Sequence, residues 1–346
     1  NTNERSDQFN EANAAYVVKS LSNRLKIEDA IRQRPEVLDK PVERPVIVMG
    51  MPRTGTTLMN NLLAADPGRR SALSWEIEMP VPPPTTALLK TDPRALAMLA
   101  AEREALAANP DMGKYYRFSA VYPNECVFIT MHDFKGLLWE GRGKLPNYRE
   151  WIYSDRVDMR TAYDYHKRFL QLHQADAPGI WNLKLPSHSL WIETVLATYP
   201  DARLIWTHRD PLTATGSYCS LMRLSANTAV GHADMAWIGE NYPWQIEQHA
   251  NRLMDSRERI GHDRIIDVQY ADLMREPIAA MKRLYAQLGD EWTPEAEAGI
   301  QGWIDDNPQG KFGRHAYKLD EFGLTPESVR PRFERYLSQY DVEAEG

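Results

Sequence analysis

The feature that most constrains the fold of this chain is a short apolar run followed by a glycine-bounded turn. Residues 46–49 read VIVM, which is typical of a buried strand, and the turn GMPRTGTT at 50–57 leads into an apolar helix from Leu58. A strand, a tight turn and a helix in this order direct backbone N–H groups towards an anion at the helix N-terminus. The spacing of Gly50 and Gly55 matches the G-x-x-x-x-G pattern of a P-loop, so the segment predicts a phosphate site.

The residues of the turn differ from those of a nucleoside triphosphatase. Such a loop carries Lys after its second glycine, where the ammonium group reaches the β- and γ-phosphates, but this chain has Thr56 there. Arg53 supplies positive charge from inside the loop instead. The alternative is a turn that binds no ligand. It is disfavoured because Arg53 and the hydroxyl groups of Thr54, Thr56 and Thr57 are costly to bury without partners.

Strands and helices alternate in the second half of the chain. Three strands and three helices are predicted there, in the order 180–185, 189–198, 203–207, 211–221, 265–268 and 277–288. This alternation indicates a parallel sheet with helices on both faces. The predicted fold class is therefore α/β, a three-layer P-loop-type fold with a central parallel sheet flanked by helices, to which helical and aromatic insertions are added.

Three segments lie outside this alternation. Residues 1–44 are a predicted N-terminal helical segment, with helical periodicity over 8–34, ahead of one larger domain at 45–346. Aromatic-rich insertions at about 111–153 and 218–244 interrupt the α/β pattern. Aromatic side chains at the ligand edge of a sheet suit an apolar pocket, and core packing explains them equally well.

A second candidate anion site follows the predicted strand at 203–207. Arg209 comes directly after this strand, and Ser217 lies eight residues further on in the next predicted helix. Ligands bind at the carboxyl ends of parallel strands, where Arg offers a fork to a phosphate and Ser a single donor. An exposed arginine and an unrelated helix serine are the alternative.

Composition excludes several function classes. The net charge of −7 argues against a nucleic acid as the main partner. Two cysteines, Cys126 and Cys219, are too few for a disulfide framework and favour a reducing, cytoplasmic location. No run approaches 18 apolar residues and the polar start of the chain is unlike a signal peptide, so no membrane span is expected. The first residue is not Met, and the sequence leaves open whether the N-terminus is complete. No D-x-D motif or His/Cys cluster indicates a metal site.

Several motifs in a consistent order resemble the sulfotransferases that use 3′-phosphoadenosine 5′-phosphosulfate (PAPS), in particular their bacterial branch. The loop PRTGTT at 52–57 is similar to the 5′-phosphosulfate loop of this family, in the Arg-bearing form also found in tyrosylprotein-type members. The segment RDP at 209–211 with Ser217 is similar to the 3′-phosphate element. The remaining similar segments are LKLPSH at 183–188, YPDAR at 199–203, VQYADL at 268–273, and the stretches 307–317 and 322–324 near the end of the chain. The resemblance covers roughly residues 45–340.

This resemblance implies PAPS as the donor cosubstrate, a sulfotransferase domain at 45–346, and no metal. The residues that it places at the donor are Arg53, Thr54, Gly55, Thr56, Thr57, Arg209, Ser217, Tyr270, Lys311 and Arg314. Tyr270 would support the adenosine, and Lys311 and Arg314 would clamp the 3′-phosphate. A solvated loop is the alternative for the last two.

The resemblance also suggests catalytic residues. Lys184, at the end of a predicted strand, would act on the leaving group together with Arg53, and a capping lysine is the alternative. Glu76 matches the catalytic glutamate of related enzymes if two residues are inserted, and it would accept the proton of the acceptor hydroxyl. Glu78, His132 and His188 are alternatives for this base, and both glutamates could instead be solvated loop acids.

The predicted activity is sulfuryl transfer to a hydroxyl group of a hydrophobic small molecule, an EC 2.8.2 type of reaction, by in-line attack with a carboxylate base. A protein tyrosine or a sugar remains an alternative acceptor. Two other readings are open: a Mg²⁺-dependent kinase-like P-loop enzyme and a non-catalytic nucleotide-binding protein. The sequence does not indicate an oligomeric state.

Overall fold

The computed structural model of this protein describes residues 7–108, 119–141, 144–308 and 317–345. At its centre lies a parallel sheet whose strands stand in the order β2-β3-β1-β4-β5. The strands are β1 (Val46–Met49), β2 (Arg69–Ser71), β3 (Ile180–Lys184), β4 (Arg203–His208) and β5 (Ile265–Gln269). The predicted α/β fold with a central parallel sheet is therefore confirmed. The sequence missed β2, which is only three residues long and begins with two arginines.

Helices cover both faces of the sheet and form the insertions. In chain order the helices of the described residues are α1 (Asp7–Gln33), α2 (Thr56–Ala64), α3 (Ser74–Glu78), α4 (Pro93–Ala108), α5 (Val127–Thr130), α6 (Leu138–Gly141), α7 (Pro146–Ile152), α8 (Arg160–Gln174), α9 (Ile192–Thr198), α10 (Pro211–Val230), α11 (Met235–Ile260), α12 (Tyr270–Arg275), α13 (Pro277–Leu288), α14 (Pro294–Asp306), α15 (Pro326–Val329) and α16 (Glu334–Gln339). None of them combines the length and apolarity that crossing a bilayer requires.

Strand β1 connects the two larger hydrophobic cores of the described residues. Val46 and Val48 pack into the core that contains α2 and α13, whereas Ile47 and Met49 pack into the larger core on the other face. Successive side chains of a strand point to opposite faces, so a run of four apolar residues fits a strand covered on both sides. Burying each such side chain contributes about 1.5–3 kcal/mol, which holds β1 at the centre of the sheet.

The segments outside the alternating pattern pack onto the same larger core. Helix α1 contributes Ile27 and Ile31 to it, in the region predicted to be helical. Most of the predicted insertion at 218–244 consists of α10 and the first part of α11, where the Tyr218 and Tyr242 rings meet edge to face. The sequence patterns had not indicated α11, which continues through Pro243.

A cluster of charged residues ties the sheet together at the amino ends of its strands. Asp290, just after α13, accepts hydrogen bonds from Arg69 at the start of β2 (2.6 Å) and from Arg203 at the start of β4. Arg69 also donates to the Tyr285 hydroxyl group (2.9 Å). One carboxylate thus joins two strands that are not neighbours in the sheet.

We expect Asp290→Asn to lower the free energy of unfolding by about 3 kcal/mol, because it leaves two largely buried guanidinium groups without their shared counterion. Urea unfolding followed by circular dichroism would measure the loss. Glu297→Gln is the matched control, since the ion pair of Glu297 with Lys282 lies on the surface and its loss should change little. Wild-type stability in Asp290→Asn would contradict the role of this cluster.

Candidate active site

The carboxyl ends of four strands bring the predicted site residues to one edge of the sheet. Strand β1 runs into the glycine-bounded turn, β3 ends at Lys184, β4 is followed by Arg209, and β5 is followed by Tyr270. The strands are parallel and in register, with Val48 of β1 opposite Lys184. This is the edge at which sheets of this type bind their ligands.

Two glycines allow the backbone of the turn to pass close to its neighbours. Gly50 and Gly55 have φ angles of +132° and +91°, which favour glycine. A Cβ atom on Gly50 would lie 2.7 Å from the Trp206 side chain, and one on Gly55 would lie 2.5 Å from the Tyr270 ring. Helix α2 then begins at Thr56 with no side chain capping its first turn. The N–H groups of this first helical turn are therefore available to an anion.

The three hydroxyl residues of the turn have different environments. The Thr54 hydroxyl is buried, donates to the Met51 carbonyl oxygen (2.8 Å) and contacts the Thr207 hydroxyl (2.7 Å). The Thr54 hydroxyl group therefore stabilises the turn, and only the backbone N–H of Thr54 is left for a ligand. Thr56 is also nearly buried, whereas Thr57 is exposed. Of the three predicted threonines, Thr57 presents its hydroxyl group most openly.

Arg53 links the turn to α10. Its φ angle is +69°, its side chain is exposed, and its Nε donates to the Ser217 hydroxyl oxygen (3.0 Å). Its carbonyl oxygen accepts a hydrogen bond from Nη1 of Arg209 (3.1 Å). The structure therefore brings together three of the predicted donor-binding residues. Arg53 lies between β1 and α2, Arg209 lies between β4 and α10, and Ser217 lies in α10.

Arg209 lies between an aromatic ring and a carboxylate. Its guanidinium group stacks on the Tyr270 ring at 4.3 Å, and the same ring packs against Gly55. Glu345 accepts from Nε and Nη2 of Arg209 at 2.6 and 2.7 Å. Arg209 can therefore hold an anion with two oxygens, as a phosphate site requires. The Tyr270 ring therefore supports the Arg209 guanidinium group, and its contact with adenosine stays a prediction.

Lys184 lies beside the first turn of α2 and pairs with a carboxylate that the sequence analysis missed. Its Nζ donates to Thr57 Oγ1 (3.1 Å) and to a carboxylate oxygen of Glu125. The Lys184 side chain is only 4% exposed, whereas that of Glu125 is 34% exposed. The Cys126 backbone N–H also donates to the Lys184 carbonyl oxygen (2.9 Å), which fixes the approach of the two segments. No spacing rule in the sequence pairs residues that are so far apart.

Glu76, the predicted base, has a different environment. It is fully buried, and its carboxylate accepts hydrogen bonds from Nη1 of Arg70 (2.9 Å), from Nη2 of Arg70, and from the Leu73 backbone N–H (2.9 Å). A base must reach the acceptor hydroxyl, and this carboxylate is enclosed by its own partners. The structure therefore favours a structural role for Glu76. Glu78 is more exposed and pairs with Lys19 of α1.

The two candidate histidines are also enclosed. His188 is fully buried with its Nδ1 2.7 Å from the Tyr163 hydroxyl oxygen, and burial lowers its pKa well below the usual value. His132 contacts the Tyr165 hydroxyl group (2.9 Å), and burial lowers its pKa to about 4. Because both rings are buried and already contact tyrosine hydroxyl groups, neither is open to an acceptor hydroxyl group, and the catalytic role of His188 stays a prediction.

The remaining sequence predictions concern two residues near the end of the chain and a metal site. Lys311 and Arg314 fall outside the described residues. Within the described ranges, no group of three or more His, Cys, Asp or Glu side chains is arranged to hold a metal ion.

Comparisons with known proteins bear on the family of this chain. A family model described as "Sulfotransferase family" matches residues 45–294. The omega-hydroxy-beta-dihydromenaquinone-9 sulfotransferase Stf3 of Mycobacterium tuberculosis, like that of Mycobacterium bovis, is 24% identical over 252 residues. This alignment covers 71% of the present chain and 62% of each relative, so the chain matches about three fifths of their length.

Two solved structures are similar over nearly the whole chain. The sulfotransferase STF9 from Mycobacterium avium superposes with a TM-score of 0.90 and 42% identity, covering 99% of this chain and 88% of that one. The sulfotransferase STF1 from Mycobacterium tuberculosis superposes with a TM-score of 0.84 and 29% identity, covering 96% of this chain and 87% of that one.

The buried pair of Arg70 and Glu76 generates a prediction about stability. We expect Glu76→Gln to lower the free energy of unfolding by about 3 kcal/mol, because the amide leaves the Arg70 guanidinium buried without a counterion. Glu78→Gln serves as the control and should cost less than about 1 kcal/mol, since its ion pair is partly exposed. Urea unfolding of both variants provides the measurement. A Glu76→Gln variant with wild-type stability and no turnover would contradict this prediction and support Glu76 as the general base.

Proposed function

This chain belongs to the sulfotransferase family, and on that premise we propose that it transfers a sulfuryl group from PAPS to a hydroxyl group of a hydrophobic small molecule. The observation that carries the proposal is the contact of Lys184 with both Thr57 and Glu125 at the amino end of α2. The reaction needs a cation to neutralise the leaving group and a base to accept the proton of the acceptor hydroxyl group. Lys184 and the partly exposed carboxylate of Glu125 would supply them.

The donor would be held at two separate anion sites. The backbone N–H groups at the start of α2, Arg53 and Lys184 would hold its 5′-phosphosulfate. Arg209 and Ser217 would hold the 3′-phosphate. Both residues contact Arg53, so the two sites are adjacent and share this arginine. A bidentate guanidinium site discriminates in favour of a nucleotide with a phosphate at that position.

In the transfer step an acceptor oxygen attacks the sulfur atom in line. A new S–O bond forms, and the bond between sulfur and the bridging phosphate oxygen breaks, which leaves adenosine 3′,5′-bisphosphate. Negative charge grows on that oxygen, so positioning and electrostatic stabilisation supply most of the catalysis, as in phosphoryl transfer. Lys184 and Arg53 are the cations that would neutralise this charge.

We assign the general base to Glu125 in place of Glu76. Glu125 is about one-third exposed and touches Lys184, whereas Glu76 is sealed against Arg70. An acceptor hydroxyl group next to Glu125 would thus lie between its base and the cation of the leaving group. The proton passes to the carboxylate as the S–O bond forms.

The proposed acceptor is apolar. Aromatic side chains follow Glu125 along the chain and remain partly buried, among them Phe128, Trp139 and Trp151. Stf3 carries the name of a menaquinone-derived hydroxyl compound, which is a hydrophobic acceptor of this kind. The kinase-like and non-catalytic alternatives are not favoured by these observations. Cytoplasmic location and the division at residue 44 stay predictions.

The experiment that tests the proposal is calorimetric titration with adenosine 3′,5′-bisphosphate and with 5′-ADP, each with and without Mg²⁺. We expect the bisphosphate to bind more tightly by about 10-fold or more, because a charge-assisted hydrogen bond contributes about 1.5–3 kcal/mol. Mg²⁺ should leave this affinity unchanged. Equal affinity for the two nucleotides, or binding only with Mg²⁺, would contradict the proposed donor.

Replacement of the proposed base gives a second test. We expect Glu125→Gln to lower kcat by about 10²–10⁴-fold, since an amide cannot accept the acceptor proton. Its affinity for the bisphosphate should stay near the wild-type value, because the base acts only during transfer. Glu78→Gln is the matched control with nearly unchanged kcat. Turnover would be followed as the release of bisphosphate with any accepted hydroxyl compound, and a fully active Glu125→Gln variant would move the base elsewhere.

A further inference from the structure

The bidentate edge of the Arg209 guanidinium is already engaged by a carboxylate of the same chain. Nε and Nη2 of Arg209 each donate to one oxygen of Glu345, at 2.6 and 2.7 Å. The third nitrogen, Nη1, donates to the Arg53 carbonyl oxygen (3.1 Å). Parallel hydrogen bonds from Nε and Nη2 are the arrangement in which arginine also binds two phosphate oxygens. A phosphate at this edge would therefore compete with the Glu345 carboxylate.

The segment that carries Glu345 contacts residues that precede and follow Arg209 in the sequence. After α16, the Tyr340 ring lies 4.7 Å from Trp206 and 4.5 Å from His208, both in β4. The Glu345 backbone N–H donates to Oδ2 of Asp210 (3.0 Å). The Glu345 side chain remains about one-third exposed, so its contact with Arg209 can exchange with solvent.

We propose that Glu345 is an intramolecular competitor for the 3′-phosphate of the donor. Its carboxylate occupies the subsite of Arg209 while no nucleotide is bound, and the 3′-phosphate displaces it on binding. This inference rests on the proposed function, because it takes Arg209 as the 3′-phosphate site. A protein whose binding-competent state is only partly populated has a reduced apparent affinity, so Glu345 sets how tightly both donor and bisphosphate product are held.

The competition predicts a gain of affinity that depends on the 3′-phosphate. We expect Glu345→Gln to bind adenosine 3′,5′-bisphosphate more tightly by about 3- to 30-fold. This range corresponds to the free energy of a charge-assisted hydrogen bond, reduced because the pair is partly exposed to solvent. The affinity for 5′-AMP, which lacks the 3′-phosphate, should change by less than about 2-fold, because a more distant charge is screened. Calorimetry at fixed ionic strength measures both.

Two further variants separate competition from other effects. Glu343→Gln removes a neighbouring carboxylate that pairs with Arg275, and it should leave both affinities unchanged. In the Arg209→Gln background, Glu345→Gln should give no gain, because the contested guanidinium group is absent. Thermal unfolding of each variant verifies that it is folded before its affinity is compared.

The outcomes distinguish the inference from the function on which it rests. If the wild-type protein prefers the bisphosphate to 5′-AMP but Glu345→Gln shows unchanged or weaker bisphosphate binding, Glu345 is a support of Arg209 and the competition is overturned. If neither protein distinguishes the two nucleotides, the 3′-phosphate site itself fails, and the inference fails with it. A gain that persists in the Arg209→Gln background would also overturn it.

Discussion

The parallel register of β1 between β3 and β4 is the constraint on which the rest of the structure depends. It places Val48 opposite Lys184 and Met49 opposite Trp206, so three chain segments leave the sheet at the same edge. Because the strands point the same way, their carboxyl ends converge whatever their separation in sequence. The glycine-bounded turn, Lys184 and Arg209 are neighbours for this reason, and the buried faces of β1 hold the register in place.

The electrostatics of the site are decided by how each carboxylate is paired and buried. Glu76 is enclosed with Arg70, and removing one member of such a pair leaves the other charge buried without a counterion. Glu125 is bound to a buried lysine but is itself partly open. Glu345 is similarly open and lies on the bidentate edge of an arginine. The three glutamates thus differ in pairing and burial, and the last two have a proposed catalytic and a proposed competing role.

Arg53 and Tyr270 couple the two proposed anion sites. Arg53 contacts Ser217 through its side chain and Arg209 through its carbonyl oxygen. The Tyr270 ring lies between Gly55 of the turn and the Arg209 guanidinium. Direct contacts therefore link the proposed 3′-phosphate subsite to the turn.

The sequence by itself determined the centre of the fold and the glycine-bounded turn at its edge. Four of the five described strands, the turn at 50–57 and helix α13 followed from apolar runs, glycine spacing and proline positions, because these patterns are local. It did not indicate the short polar strand β2 or helix α11, whose pattern is interrupted by Pro243. Only the tertiary structure decided which carboxylates meet which cations. Glu125 lies 59 residues from Lys184, and Glu345 lies 136 residues from Arg209, so no local pattern encodes these pairs. Glu76 pairs with Arg70 only six residues away, whereas the pairing of Glu125 depends on a contact between distant segments, and the two carboxylates differ in burial for the same reason.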